Sequence, residues 1–272
     1  MTPILSIIIP CYNSQRTLEE TLKSVRDQKF ENWEAIIVND GSTDNTENIA
    51  LGWVTKDKRF RYYSKPNEGL GRTRNFGIER AIGEYILPLD SDNLIEKDAA
   101  EIAIKILDKR KNVGVVYGHA ELFGEKDGIW KMAKFDLEQL FVQNYIDACA
   151  FYRKSLWKEV KGYDEKMPYQ GTEDWELWLA FGIRGVKFFR LNRIVFKYRI
   201  SENSMIQSYT DEIKRANDIY IVQKYAEYYY LFFKENRLRL KKCLKESNEG
   251  FYKKYFQSLR RRVYKIYKKR TS

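Results

Sequence analysis

The chain has 272 residues, of which 43% are hydrophobic and 15% aromatic, and a formal net charge of +11. This length and apolar content suffice for one large domain with an appendage, which excludes an intrinsically disordered protein. The three cysteines, Cys11, Cys149 and Cys243, lie far apart and without metal-ligand spacing. Neither a disulfide framework nor a zinc site is therefore expected, and a reducing cytoplasm fits.

The positive charge is concentrated at the C-terminus. Residues 251–272 hold nine Lys or Arg and no Asp or Glu, and subtracting these nine from +11 leaves +2 for residues 1–250. The main domain is therefore not expected to bind nucleic acid.

The first third of the chain alternates strand and helix patterns. The run "ILSIII" (4–9) predicts a first strand, since it lacks a basic leader and is far shorter than the about 20 residues of a membrane span. Ser14 is expected to cap a helix, and further strands are predicted at 34–38, 60–63 and 84–89. Such alternation is typical of a mostly parallel, Rossmann-like α/β sheet flanked by helices.

The second half is less regular. A helix is predicted from about Lys97 to Lys109, a hairpin after "VGVVYG" (113–118), and a helix over 172–185. Two extended segments, 187–191 and 194–199, come next, and beyond residue 206 the chain turns helical, aromatic and basic.

Polar segments follow each predicted strand of the first third. In a parallel sheet, ligands bind beyond the carboxyl ends of the strands, where the strand order reverses. This rule selects "PCYN" (10–13), "NDGSTD" (39–44), "KPNEG" (65–69) and "DSDN" (90–93).

The last of these segments carries two carboxylates one residue apart. Asp90 and Asp92 would repel each other unless a cation lies between them, and hard oxygen ligands suit Mg²⁺ or Mn²⁺ bound together with substrate phosphates. The alternative is structural: Asp90 caps a turn, and Asp92 and Asn93 start the next helix.

The second and third segments allow two interpretations each. Asp40 either caps a turn before Gly41 or accepts hydrogen bonds from a nucleotide base. Lys65, Asn67 and Arg74 surround two glycines at a predicted helix N-terminus suited to an anion, but these glycines match neither a P-loop nor a dinucleotide fingerprint.

Four segments in this order resemble family 2 glycosyltransferases of GT-A fold, which include many bacterial enzymes. They are "SIIIPCYN" (6–13), "VNDGSTD" (38–44), "NEGLGRTRNFGIERAIGEYILPLDSDN" (67–93) and "TEDWELW" (172–178), and the resemblance covers residues 4–200. It implies a catalytic domain over 1–205, with a nucleotide-sugar half at about 1–110 and an acceptor half at about 111–205. Residues 206–272 would form a helical, aromatic and basic extension.

The resemblance also implies an activity. The enzyme would transfer a hexosyl or N-acetylhexosaminyl group from a nucleotide-diphosphate sugar, most often a UDP-sugar, to an acceptor hydroxyl with inversion. Its acceptor would be a glycan, a lipid-linked sugar or a glycoprotein, and its product a cell-surface polysaccharide or glycoconjugate. The implied donor-site residues are Pro10, Tyr12 and Asn13 around the nucleoside, Asp40 at the uracil, Asp90 at the ribose, Ser91 facing the donor and Asp92 as ligand of Mn²⁺ or Mg²⁺.

The segment "TEDWELW" supplies the base that inverting transfer needs. The resemblance points to Asp174 as general base and to Glu173 as supporting residue. The alternative is that both acids only complement the helix dipole, which would also lower the pKa of Asp174.

One departure concerns the segment 197–205, where family members frequently carry a His and this chain has Ser201. Tyr198, Arg199 and Ser204 remain as weaker diphosphate-contact candidates. The single histidine, His119, lies far upstream and is assigned no role.

Residues 251–272 have the pattern of a basic amphipathic helix. It suits an anionic membrane surface, which would make the protein peripheral on the inner face of the membrane. Packing on the catalytic domain or on a second copy of the chain is the alternative, and RNA binding a third.

Two other functions stay open at the level of sequence. A metal-dependent nucleotidyltransferase also surrounds carboxylates and Mg²⁺ with an α/β sheet, but it would release pyrophosphate. A non-catalytic nucleotide-sugar-binding or membrane-associated module is disfavoured, because Asp90, Asp92 and Asp174 all stand where the family pattern has them.

Overall fold

The computed structural model describes residues 2–201 and 209–246. The chain divides into two compact units, of which the first extends to Gln223 and the second begins at Lys224. The predicted domain boundary near residue 205 stays a prediction. None of the described helices is both long enough and apolar enough to cross a membrane.

The described part of the chain contains nine strands and nine helices. The strands are β1 Leu5–Cys11, β2 Trp33–Asp40, β3 Phe60–Lys65, β4 Tyr85–Pro88, β5 Leu94–Ile95, β6 Val113–Gly124, β7 Gly128–Trp130, β8 Phe151–Arg153 and β9 Lys187–Ile200. The helices are α1 Leu18–Arg26, α2 Thr46–Lys56, α3 Leu70–Arg80, α4 Ala99–Lys109, α5 Leu137–Val142, α6 Lys154–Val160, α7 Glu173–Ile183, α8 Asp211–Lys224 and α9 Ala226–Glu246.

All nine strands join one sheet in the order β3-β2-β1-β4-β8-β6-β9-β5, with β7 paired to β6. Strands β1 to β4 are mutually parallel, and β6 and β9 run in the same direction. Strands β5, β7 and β8 run the opposite way. The predicted mostly parallel α/β sheet is thus confirmed, and its second half is mixed.

The core lies around β1 and β2, whose residues are all buried, as the continuous apolar run of β1 predicts. Helix α3 packs closely against both strands because Gly77 faces them: a Cβ at Gly77 would lie 2.6 Å from Ile8 Cγ2. Arg74 lies about one turn before Gly77 on the same buried face. The close packing of α3 therefore brings a buried arginine to the end of the sheet.

Two details differ from the sequence expectations. Helix α1 begins at Leu18 after Thr17, and Ser14 does not cap it, because the Ser14 hydroxyl instead bonds to Ser91. The segments 187–191 and 194–199 form one strand, β9, which pairs with both β6 and β5. The predicted C-terminal helices are confirmed by α8 and α9, while the predicted basic helix over 251–272 lies outside the described residues.

Candidate active site

The strand order reverses beside β1, which pairs with β2 on one side and β4 on the other. Such a switch point opens a crevice at the carboxyl ends of the strands. The segments after β1, β2, β3 and β4 all meet at this edge, because these four strands are parallel. All four polar segments selected from the sequence are therefore brought to one edge of the sheet.

The loop after β1 is hydrogen-bonded to the loop after β2. Asn13 adopts a positive φ of 51°, its main-chain N–H donates to Ser42 Oγ at 2.9 Å, and its Oδ1 accepts the Thr43 N–H at 2.9 Å. Pro10 is buried within β1, whereas the Tyr12 side chain is 55% exposed. Tyr12 therefore offers an accessible ring at the crevice.

Asp40 and Lys65 form a buried ion pair at the ends of β2 and β3. Asp40 also accepts the main-chain N–H groups of Glu68 at 3.0 Å and Gly69 at 2.9 Å. Asn67 is exposed and its main-chain N lies 2.8 Å from where a Cβ of Gly41 would be. Asp40 thus fixes the start of α3 onto the sheet, and its predicted contact with a base stays a prediction.

Arg74 connects the end of β4 to the start of α7. Its Nη2 donates to Asp90 Oδ1 at 2.7 Å and its Nη1 to Glu173 Oε1 at 2.5 Å. Burial alone would lower the pKa of Arg74, but the charges of Asp90 and Glu173 raise it well above its ordinary value. A permanent cation therefore holds two acids, 83 residues apart in sequence, at one place.

Ser91 and Asp92 continue the loop after β4. Ser91 Oγ lies 2.7 Å from Ser14 Oγ, and its carbonyl accepts the hydroxyl of Thr17 at 2.8 Å. Burial and the charge of Asp90 raise the pKa of Asp92 to about 6. Ser91 thus connects this loop to the loop after β1, while burial and the charge of Asp90 outweigh the opposing charge of Arg199 at Asp92.

Among the described residues, no three His, Cys, Asp or Glu side chains converge as a complete metal centre. Two carboxylates are nevertheless what Mg²⁺ or Mn²⁺ needs when substrate phosphates complete its coordination. The donor set of Asp90 and Asp92 fits such a cation, because the positive charge would remove the repulsion that raises the pKa of Asp92.

Asp174 lines a cavity of about 400 Å³ beside this crevice. Its Oδ2 accepts the Asn144 side-chain amide at 3.1 Å, and its Oδ1 accepts the main-chain N–H of Trp175 at 2.7 Å. Burial, followed by the charges of Glu173 and Asp147, raises the pKa of Asp174 well above its ordinary value. The expectation that the helix dipole lowers this pKa is therefore wrong, since burial and neighbouring acids outweigh the dipole.

The cavity contains residues that sequence reasoning did not select. Its polar lining residues include Asp147 and Asn144, and its apolar lining residues include Leu122, Trp130 and Ile200. Asp147 precedes β8, which is antiparallel to β4 and therefore brings its amino end to the crevice edge. The sequence rule selects the carboxyl ends of parallel strands, and Asp147 at the amino end of an antiparallel strand does not meet it.

Two of the three weaker candidates for a diphosphate contact, Tyr198 and Arg199, lie among the described residues. Tyr198 lines the cavity. Arg199 instead donates through Nε to the Asp92 carbonyl at 2.9 Å and through Nη2 to Glu20 at 2.5 Å, so it braces the β4 loop. Ser204 lies outside the described residues.

The histidine is structural. His119 is 8% exposed, its Nδ1 accepts the Met132 N–H at 3.1 Å, and its Nε2 lies 3.3 Å from Asn192 Oδ1. With Nδ1 as acceptor, Nε2 carries the proton and donates to Asn192.

Comparison with protein families and curated proteins gives one consistent result. The family model described as glycosyl transferase family 2 matches residues 6–161. An uncharacterised glycosyltransferase of Rickettsia typhi is 32% identical over 217 residues, which are 75% of this chain and 64% of the relative. The chondroitin synthase of Pasteurella multocida is 30% identical over 198 residues, 71% of this chain and 20% of the synthase. The chain thus spans less than two thirds of the length of these relatives.

Solved structures confirm the GT-A fold. TarS 1–349 of S. aureus, in complex with UDP-GlcNAc, matches with a TM-score of 0.66 at 22% identity, over 79% of this chain and 64% of that one. A mannosyltransferase of Pyrobaculum calidifontis, in complex with GDP-Man and Mn²⁺, matches with a TM-score of 0.59 at 18% identity, over 75% and 59% of the two chains.

Proposed function

The chain belongs to glycosyl transferase family 2, and from this membership we propose that it transfers a sugar from a nucleotide-diphosphate donor to an acceptor hydroxyl with inversion. The observation that carries the proposal is the link from Asp90 through Arg74 to Glu173. This link holds the "DSDN" loop and the start of α7 together, so that Asp174 and the proposed diphosphate site belong to one active site.

The donor would bind at the crevice edge, with its base near Tyr12 and Asp40 and its diphosphate near Asp92. A UDP-sugar is the proposed donor, because the similar TarS structure is a complex with UDP-GlcNAc. Asp90 and Asp92 would hold a divalent cation, and Mn²⁺ is proposed because the similar mannosyltransferase structure contains it. When bound, such a cation neutralises charge that develops on the leaving diphosphate.

Asp174 is the proposed general base. An inverting transfer needs a base across the sugar from the leaving group, and Asp174 faces the cavity beside the crevice. Its raised pKa, caused by burial and the neighbouring acids, makes it a stronger base than an exposed aspartate. The Asn144 amide holds one carboxylate oxygen, which orients the group toward the acceptor hydroxyl.

The acceptor is proposed to be a glycan, and the transferred group a hexosyl or N-acetylhexosaminyl unit. Two similar proteins of Pasteurella multocida are named chondroitin synthase and hyaluronan synthase, which supports a role in polysaccharide synthesis. The cavity supports it as well, because aromatic side chains together with carboxylates and amides are the chemistry that recognises sugar rings.

A donor panel tests the proposal. Purified protein is incubated with Mn²⁺, UDP-glucose, UDP-galactose, UDP-GlcNAc or GDP-mannose and oligosaccharide acceptors, and release of the nucleoside diphosphate is measured. We expect release that needs the acceptor, that stops with a chelator and that Asp92→Ala abolishes. Asp127→Ala is the control, because Asp127 is an exposed residue of the β6–β7 turn.

The products separate the alternatives. Release of pyrophosphate from a nucleoside triphosphate would identify a nucleotidyltransferase instead. Binding of a nucleotide sugar without turnover on any acceptor would favour a non-catalytic module.

A further inference from the structure

We propose that Asp147 binds a hydroxyl group of the transferred sugar and thereby selects the donor, an assignment that rests on the proposed function. Asp147 is not among the residues that the sequence motifs bring forward. Three observations support its role: its position at the crevice edge, an oxygen without a described partner, and the composition of the cavity around it.

The position follows from the sheet. Strand β8 pairs antiparallel with β4, in the register Tyr85 to Arg153 and Ile86 to Tyr152. The chain that enters β8 therefore runs beside the chain that leaves β4, and Asp147 reaches the same edge as Asp90. In the proposed reaction, the transferred sugar lies between a diphosphate at this edge and an acceptor next to Asp174.

Asp147 interacts electrostatically with Asp90 at the proposed diphosphate site and with Asp174, the proposed base. Burial and the charge of Asp90 raise the pKa of Asp147 to about 7. The charge of Asp147 in turn contributes to the raised pKa of Asp174, and both side chains line the same cavity. Asp147 is thus close enough to both Asp90 and Asp174 to affect the charge of each site.

One oxygen of Asp147 has a protein partner and the other has none among the described residues. Oδ1 accepts the main-chain N–H of Cys149 at 2.8 Å, which closes a local turn. No described donor contacts Oδ2. Asp147 is half-buried and lines the cavity, so a ligand in the cavity that brings a hydrogen-bond donor can reach this carboxylate.

The chemistry of the cavity identifies that donor. In the cavity a phosphate would be repelled by Asp147 and Asp174, whereas a sugar hydroxyl donates to a carboxylate. The apolar side chains of Leu122, Trp130 and Ile200 give the carbon face of a sugar ring a surface to pack on. The occupant that fits is therefore the sugar of the donor and not its nucleotide.

Binding measurements with and without the sugar test this assignment. Calorimetric titration with Mn²⁺ gives the Kd of UDP, GDP and their sugar derivatives for wild-type, Asp147→Asn and Asp147→Ala protein. For the nucleotide sugar that wild type binds most tightly, we expect Kd to rise about tenfold or more in both variants. The Kd of the free nucleoside diphosphate should change less than about twofold, since UDP and GDP lack the transferred sugar and its hydroxyl groups.

The asparagine variant separates a ligand role from a structural one. The side-chain carbonyl oxygen of the Asp147→Asn variant can still accept the Cys149 N–H, so a purely structural role predicts wild-type binding in this variant. Asp164→Asn is the control, because Asp164 closes the same kind of turn with the Lys166 N–H at 2.8 Å, accepts the Tyr220 hydroxyl at 2.9 Å and does not line the cavity.

Three results would overturn the assignment. Equal losses of affinity for UDP and the UDP-sugar would indicate a distorted site, and unchanged affinity for both would indicate no contact. Wild-type protein that binds no nucleotide of the panel would contradict the proposed function itself. Deoxy-sugar donors identify the contacted hydroxyl. The donor that lacks this hydroxyl should bind wild-type protein as weakly as the complete donor binds the Asp147→Ala variant.

Discussion

Glu173 and Asp174 are consecutive residues, yet their carboxylates have different partners. Glu173 Oε1 accepts from Arg74 at 2.5 Å and its Oε2 accepts the Gly171 N–H at 2.7 Å, so both oxygens are engaged by the protein. Asp174 faces the cavity and has an amide, Asn144, as its side-chain donor. Both Glu173 oxygens are therefore occupied by protein donors, whereas Asp174 faces the cavity and is the proposed general base.

Replacing Asp174 by Asn should abolish turnover and preserve donor binding. The variant keeps the size of the side chain but loses the base, so we expect kcat to fall by about 10²–10⁴-fold. The Kd of the nucleotide sugar should stay within about twofold, because the leaving group binds at the other end of the site. Asp164→Asn is the control, and loss of donor binding in Asp174→Asn would contradict a role confined to the base.

Replacing Arg74 by Met should strongly destabilise the fold. The Arg74 side chain is 2% exposed, and its removal leaves the buried Glu173 carboxylate without its cation. Breaking a buried ion pair in this way costs about 3–5 kcal/mol in unfolding free energy. Urea denaturation measures this loss.

Arg72→Met is the matched control for this prediction. Arg72 lies on the same helix, is 47% exposed and forms only long ion pairs of 3.7 Å among its described contacts. Its replacement should change the unfolding free energy by less than about 1 kcal/mol. Equal effects of the two substitutions would show that the Arg74 bridge adds nothing to stability.

The sequence was sufficient to predict the donor half of the fold. Continuous apolar runs such as that of β1 predict buried parallel strands, and the polar segments after them then share one edge. The resemblance added α7, whose acids the sequence alone could not place beside Asp90. Arg74 is the physical reason for that placement, and its two partners lie 16 and 99 residues away.

The structure of the acceptor half, about residues 111–205, is harder to predict from the sequence for a different reason. Strand β8 has three residues and is antiparallel, so neither its length nor its direction is visible in the run "YIDACAFYR" (145–153). Asp147 therefore looks like a loop acid in the sequence. Likewise, the pKa of Asp174 depends on burial and on Asp147, which a helix pattern does not contain.

Replacing Asp92 by Asn should uncouple nucleotide binding from the metal. Wild-type protein should bind UDP more tightly with Mn²⁺ than with a chelator, because a cation held by Asp90 and Asp92 would supply positive charge to the phosphates. In Asp92→Asn the increase in UDP affinity caused by Mn²⁺ should be smaller by about tenfold or more. Even the mutation of a residue that only hydrogen-bonds to a metal ligand lowers metal affinity by that much. Calorimetric titration with and without Mn²⁺ measures this change in UDP affinity, and Asp127→Asn is the control. If Mn²⁺ increases the UDP affinity of Asp92→Asn as much as that of wild type, Asp92 is not a metal ligand.

The stability of the ligand-free protein should depend on pH through Asp147. Its pKa is raised to about 7 by burial and by Asp90, whereas an unfolded aspartate titrates near about 3.9. Between these values the folded state binds more protons than the unfolded state, so the unfolding free energy falls as pH rises from about 4 to 7. Above pH 7 this contribution is constant.

Asp147→Asn removes this titration and tests its sign. The unfolding free energy of the variant minus that of wild type should increase with pH up to about 7 and then level off, with a slope of at most about 1.4 kcal/mol per pH unit. Urea midpoints at pH 5, 6, 7 and 8 without metal or nucleotide measure the difference. A difference that is independent of pH would mean that Asp147 ionises in the folded protein as it does in water. In that case burial and Asp90 would not perturb the Asp147 carboxylate.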